Sequence, residues 1–127
     1  MKINLTSLMV DDQDKAFKFY TGTLGFVVSK DIPMGEARWL TVVSPEGPAD
    51  VELLLEPMGF LPARTYQKAL FEAGIPATAF VVDDIQSEFE RMKKLGVVFR
   101  TEPTKTGPVT IAVFEDTCGN LIQMVQG

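Results

Sequence analysis

The chain contains no histidine, and that absence decides much of its chemistry. No Ser-His-Asp or Cys-His nucleophile can be assembled. No imidazole can ligate a metal or carry protons near neutral pH, and a zinc site would need carboxylates and a thiol instead. Carboxylates, one cysteine and a few polar donors remain. Glu52 and Glu56 stand in "VELLLEP" at an even spacing, which puts both on one face of a strand. With nearby aspartates such a pair can hold Mg²⁺ or Mn²⁺, or it can simply be solvated. Glu52 is the sharpest catalytic candidate, as a carboxylate that recognises a ligand donor or acts as a base. The alternative is a carboxylate satisfied by Gln123 or by a backbone amide. Arg38 suits a carboxylate and Trp39 suits stacking or the core. As strand neighbours they point to opposite faces, so only one of them can share the face of Glu52. Cys118 is the only cysteine. It lies in the turn "DTCGN" with no adjacent base to favour a thiolate, so an inert thiol is expected.

These side chains need a scaffold, and the sequence writes it twice. "LMVDDQDKAFKFY" (8–20) returns as "FVVDDIQSEFERM" (80–92). Each copy is an apolar run, then Val-Asp-Asp, then a stretch with helical spacing. Asp12 and Asp84 are separated by the same interval as Phe17 and Phe89, and Gly25 and Gly96 close the two helices one residue out of step. Asp11, Asp12, Asp83 and Asp84 read as caps. "INLTSLMV" (3–10) alternates like a strand. Ala16, Phe17, Tyr20 and Leu24 form the stripe of an amphipathic helix. Strands follow at 26–30, 37–44 and 51–57, giving the order β-α-β-β-β. Residues 58–75 predict a helix with Pro62 near its start, Tyr66, Ala69 and Leu70 as its apolar stripe, and Gly74 at its end. The order then repeats: a strand at 77–84, a helix striped by Ile85, Phe89, Met92 and Leu95, and strands at 97–103, 109–116 and 120–126. The expected fold class is α+β, a single domain over residues 1–127 made of module 1 (about 1–57), a linker helix (about 58–75) and module 2 (about 76–127). Two tandem βαβββ modules would form a curved, cup-shaped mixed sheet with helices on the outer face. The concave face left open is a natural ligand site.

In this order, "VDD" with "KAFKFY" and "LGF" (10–26), then "VDDI" with "KKLGV" and "EDTCGNLIQ" (115–123), the chain resembles the vicinal oxygen chelate superfamily of glyoxalases, extradiol dioxygenases and bleomycin- and fosfomycin-resistance proteins. The resemblance covers nearly the whole chain. It implies a metal site of two histidines and two glutamates, and the positions matching those ligands are Leu5, Glu52, Ala77 and Gln123. Leu5 and Ala77 have no donor atom and Gln123 is at best a neutral oxygen ligand, so no metal and no cofactor is expected. If the ligand positions point inward, the inner face comprises Leu5, Ser7, Met9, Glu52, Leu54, Glu56, Ala77, Ala79, Val81, Leu121, Gln123, Val125 and either Arg38 or Trp39. Leu8, Val10, Phe80 and Val82 would then pack under the helices. A small organic molecule is the implied partner, bound without the family's usual metal. An atypical metal-dependent lyase, isomerase or dioxygenase is the competing reading. The resemblance also implies a homodimer.

Composition excludes other classes. A net charge of −5 and a pI of about 4.7 argue against a nucleic-acid binder, whose affinity comes largely from basic contacts to phosphate. No apolar run approaches the roughly 20 residues that cross a bilayer, so no membrane partner is expected. The lone cysteine and the absence of a signal-peptide pattern at residues 1–12 point to a cytoplasmic location.

Overall fold

Alternating residues after Asn4 and helical spacing after Asp12 resolve into eight strands and three helices. The computed structural model describes all residues, Met1–Gly127. The first half holds β1 (Leu5–Val10), α1 (Gln13–Phe17, continued by a π-helical turn over Lys18–Thr23), β2 (Val27–Met34), β3 (Ala37–Val43) and β4 (Glu52–Pro57). Then come α2 (Leu61–Ala73), β5 (Thr78–Val81), α3 (Ile85–Lys94), β6 (Phe99–Thr106), β7 (Val109–Glu115) and β8 (Leu121–Gln126). Each half is a four-stranded mixed sheet, ordered β1-β4-β3-β2 and β5-β8-β7-β6. The first strand of each half pairs parallel with the last and the other pairs are antiparallel. The expected βαβββ order is therefore present twice. The chain divides into compact units Met1–Arg64 and Thr65–Gly127, and the boundary falls within α2.

In the first unit one sheet face is packed under α1. Leu8, Val10, Leu40, Val42 and Leu55 are buried there with Ala16, Phe19 and Tyr20. In the second, Ile85, Phe89 and Met92 of α3 are buried with Ala112, Phe114, Ile122 and Met124. Phe80 and Val82, expected beneath α3, are half-buried. One aspartate of each repeated pair caps its helix, Asp12 and Asp84, whereas Asp11 pairs with Lys15 instead and Asp83 is not the cap. Asp12 accepts from the amides of Asp14 (2.8 Å) and Lys15 (3.1 Å), and Asp84 accepts from the amide (3.1 Å) and hydroxyl (2.9 Å) of Ser87. Backbone N–H donation is the chief reason that both carboxyls sit below the ordinary aspartate value.

All three helical stripes differ from the spacing, on α3 only at Leu95, which follows the helix and is exposed. Phe17 is 37% exposed while Phe19 is buried. Ala16, Phe19 and Tyr20 make the buried stripe at i, i+3 and i+4, with Phe17 at its edge, and the π turn follows with bonds such as Leu24 N–H to Phe19 C=O. On α2 the stripe of Tyr66, Ala69 and Leu70 is not the buried one; Tyr66 and Ala69 are exposed and Gln67 is buried. The Gln67 amide donates to the Cys118 carbonyl (3.1 Å) and to Asn120 Oδ1 (3.0 Å), so a polar turn anchors this helix. Asp116 closes the same turn by accepting from the amides of Cys118 (2.8 Å) and Asn120 (3.0 Å).

Candidate functional site

The face of the first sheet opposite α1 carries the polar chemistry. Parallel pairing sets Leu5 beside Glu52, Ser7 beside Leu54 and Met9 beside Glu56. Antiparallel pairing sets Thr41 beside Leu54, so these side chains share one face. Strand β2 joins them through an irregularity. Val28 pairs with Val42, but the next paired residue is Lys30, opposite Thr41. The extra residue, Ser29, is a β-bulge, and a bulge re-aims the side chains after it. Simple alternation from Val28 would put Lys30 on the helix face. The bulge puts it beside Thr41, and Ile32 beside Trp39.

The result is a closed polar unit. Lys30 Nζ donates to both carboxylate oxygens of Glu52 at 2.8 Å. The fully buried Thr41 hydroxyl donates to Glu52 Oε1 at 2.6 Å and accepts from the Lys30 amide at 3.1 Å. The Lys30 ammonium first, then the Thr41 hydroxyl, hold the Glu52 carboxyl down to about 2 from its ordinary 4.5. A carboxylate held that far below neutrality is a weak proton acceptor. Of the two roles foreseen for Glu52, the geometry favours recognition over base catalysis. Its partner is also new: Lys30 satisfies it, not Gln123 or a backbone amide.

The other expected residues divide between faces and units. Leu5 and Ser7 are exposed on the Glu52 face, Met9, Trp39 and Glu56 are half-buried, and Leu54 is buried. Arg38 belongs to the opposite face. Its guanidinium pairs with Asp14 and with Asp31 (3.1 Å) and lies 5.8 Å from the Phe17 ring centre. Gln13 locks the neighbouring backbone by donating to the carbonyls of Arg38 (2.7 Å) and Leu55 (2.9 Å). Trp39 is therefore the residue of the pair that accompanies Glu52. Arg38 instead borders a cleft of about 320 Å³ with Asp12, Gln13, Asp14, Glu36, Ala37 and Pro57.

In the second unit Ala79 pairs with Gln123, whereas Ala77 precedes β5 and donates its N–H to the Leu121 carbonyl (2.8 Å). Ala79 is exposed and Val81 is 80% exposed. Ser7 with Leu54 in the first module corresponds to Ala79 with Gln123 in the second. Gln123 thus occupies the register position of Leu54, and the counterpart of Glu52 is the buried Leu121.

These residues do not fit a metal. Leu5 and Ala77 bring no donor atom, both Glu52 oxygens face the Lys30 ammonium, and no three His, Cys, Asp or Glu side chains are grouped so as to hold an ion. The Glu52–Glu56 pair foreseen as a Mg²⁺ or Mn²⁺ site is preempted in the same way. Lys30 is the residue that sequence reasoning missed. The signal available was the irregular run "FVVSKDIPM", whose polar Ser-Lys-Asp interrupts strand alternation.

Residues 2–124 match the family model of the Glyoxalase/Bleomycin resistance protein/Dioxygenase superfamily, and the chain belongs to that superfamily. It is 59% identical over 126 residues to the uncharacterized protein YurT of Bacillus subtilis (strain 168), covering 99% of both chains. Among solved structures it is similar to UcmS2, with 32% identity, a TM-score of 0.84, and coverage of 98% of this chain and 97% of that one. It is also similar to TnmS3, an antibiotic binding protein from Streptomyces sp. CB03234, with 28% identity, a TM-score of 0.75, and coverage of 99% and 95%.

Proposed function

We propose that the chain is a binding protein of this superfamily that holds a small organic molecule on the open face of its first sheet, without the metal on which the family's enzymes rely. One observation carries the reading: both oxygens of the one glutamate left from the family's ligand pattern are taken by an ammonium of the chain itself. The face then offers an aromatic wall at Trp39, apolar side chains at Leu5 and Met9, and a few oriented polar groups, which is the usual make-up of an organic-ligand site. The antibiotic binding described for TnmS3 supports the same class of ligand here. No helix is long and apolar enough to cross a membrane, and a homodimer in the cytoplasm is the expected setting.

Trp39 is the only tryptophan, so its fluorescence reports the face directly. A panel of aromatic antibiotics titrated into tag-free protein is expected to give saturable quenching. By calorimetry, Trp39→Ala should weaken that binding about tenfold, while Arg38→Met, on the opposite face, leaves it within about twofold. Failure of every compound to quench, together with turnover of a thiohemiacetal or a catechol that needs added Ni²⁺ or Mn²⁺, would instead establish the metal-dependent lyase, isomerase or dioxygenase reading.

A further inference from the structure

We infer that Lys30 is the specificity-determining residue of this face, and that the ligand it selects is a neutral aromatic molecule presenting a carbonyl oxygen to its ammonium. The inference rests on the binding reading above and names the ligand class. An ammonium has three N–H donors, and two of them are directed at Glu52, which leaves one for a ligand. The Lys30 side chain is 47% exposed while that of Glu52 is 16% exposed. The ammonium is therefore the member of the pair that an incoming molecule meets, and the carboxylate below fixes its direction. Such a head is preorganised, because its rotamer freedom is already spent in the ion pair.

The surroundings define the rest of the ligand. Ile32 pairs with Trp39 and Met34 with Ala37, so indole, isoleucine and methionine continue the face beyond Lys30. Ile32 and Met34 are both exposed large apolar residues. Lys30 and Trp39 are diagonal neighbours across β2 and β3, at a spacing that long and aromatic side chains bridge. A flat ring system can lie against Trp39 with its oxygen at Lys30. Charge decides against an anion: Lys30 brings one positive charge, while Glu52 and Glu56 on the same face bring two negative ones. A carbonyl oxygen accepts from the ammonium without adding to that repulsion.

The sole tryptophan gives a single indole N–H resonance in a ¹⁵N-labelled sample, which serves as the reporter. Three probes are titrated: 2-acetonaphthone, its hydrocarbon isostere 2-ethylnaphthalene, and the anion 2-naphthoate. Acetonaphthone is expected to shift the resonance saturably and to bind about tenfold or more tightly than either other probe, the range of one hydrogen bond to a charged donor. Lys30→Met should remove that preference by weakening acetonaphthone about tenfold while leaving ethylnaphthalene within about twofold. Lys30→Arg should keep most of it. Equal binding of ketone and hydrocarbon by the wild type overturns the inference while leaving the binding reading intact, and so does tighter binding of naphthoate. Silence of the resonance with all three probes overturns the inference, and the antibiotic titration above then decides the binding reading. The comparison within the wild type decides the matter even if a variant fails to fold.

Discussion

Replacing Lys30 by methionine keeps an unbranched apolar stem and removes the interaction that does most to hold Glu52 in its charged form. In the wild type the Glu52 carboxyl should titrate near 2, against an ordinary 4.5. A pH of 3.5 separates these values: a carboxyl with a pKa of about 2 is about 97% ionised there, and one at the ordinary value only about 10%. In Lys30→Met the Thr41 hydroxyl, 2.6 Å from Oε1, still favours the charged form. The midpoint should therefore climb most of the way toward 4.5 without reaching it. The assay is the side-chain carboxyl ¹³C shift of labelled glutamate, followed from pH 6 down to the acid limit of folding.

The linkage to stability has a definite sign. The folded-state pKa lies below the unfolded value, so Glu52 contributes stability that is complete above about 4.5 and is lost as the pH falls toward 2. The difference in melting temperature between wild type and Lys30→Met should be constant above about pH 5.5 and narrow steadily on acidification below that. A wild-type midpoint above about 4, or a midpoint unmoved by the substitution, would show that the ion pair does not hold Glu52 in solution. Glu52 would then not orient the Lys30 ammonium toward a ligand.

Two further outcomes test the neighbouring conclusions. At Gly119 the backbone has φ of +94°, and an added Cβ would lie 2.7 Å from Gln67 Oε1. Gly119→Ala should therefore cost about 3 kcal/mol from backbone strain and displaced Gln67 bonds, a fall of roughly 10 °C in Tm; Gln67→Ala in the same chain should recover part of it, and a change below about 1 kcal/mol would refute the packing. Adding Mn²⁺ at about 1 mM to tag-free protein should move the Tm by less than about 1 °C, whereas a rise of several degrees would mean that Lys30 yields Glu52 to a metal.

The repeat was legible because both signals that define it are local. Alternation, cap residues and terminal glycines act over a few residues, so the strand and helix order could be read twice from one pass along the chain. Glu52 was legible for the same reason, as a carboxylate in a strand of leucines. Its partner was not. Lys30 lies far from Glu52 in sequence and reaches it only through a bulge, a shift of one residue that reverses the face of everything after it. The burial of Phe19 in place of Phe17, and the polar anchor at Gln67, were hidden likewise. Each depends on a hydrogen-bond register or a tertiary partner that spacing does not encode.

The two copies show why the chemistry concentrates in the first. Both modules bulge between their second and third strands: in one the shift lies between Val28 and Lys30, in the other between Phe99 and Thr101. Both then use a threonine hydroxyl to take up a backbone N–H at the irregularity. In the first module Thr41 accepts from Lys30 N–H, and in the second Thr101 accepts from Val113 N–H at 3.0 Å. The backbone device is therefore common property and by itself carries no function. What differs is the side chain that the shift delivers and the one waiting for it. In the first module a lysine arrives opposite Thr41 and finds Glu52. In the second a threonine arrives and the counterpart of Glu52 is the buried Leu121. A bulge retained only to relieve sheet strain would need neither the lysine nor the glutamate. Their pairing on the open face of one module, where the other has a hydroxyl and a leucine, is the asymmetry on which the proposed recognition role of the first module rests.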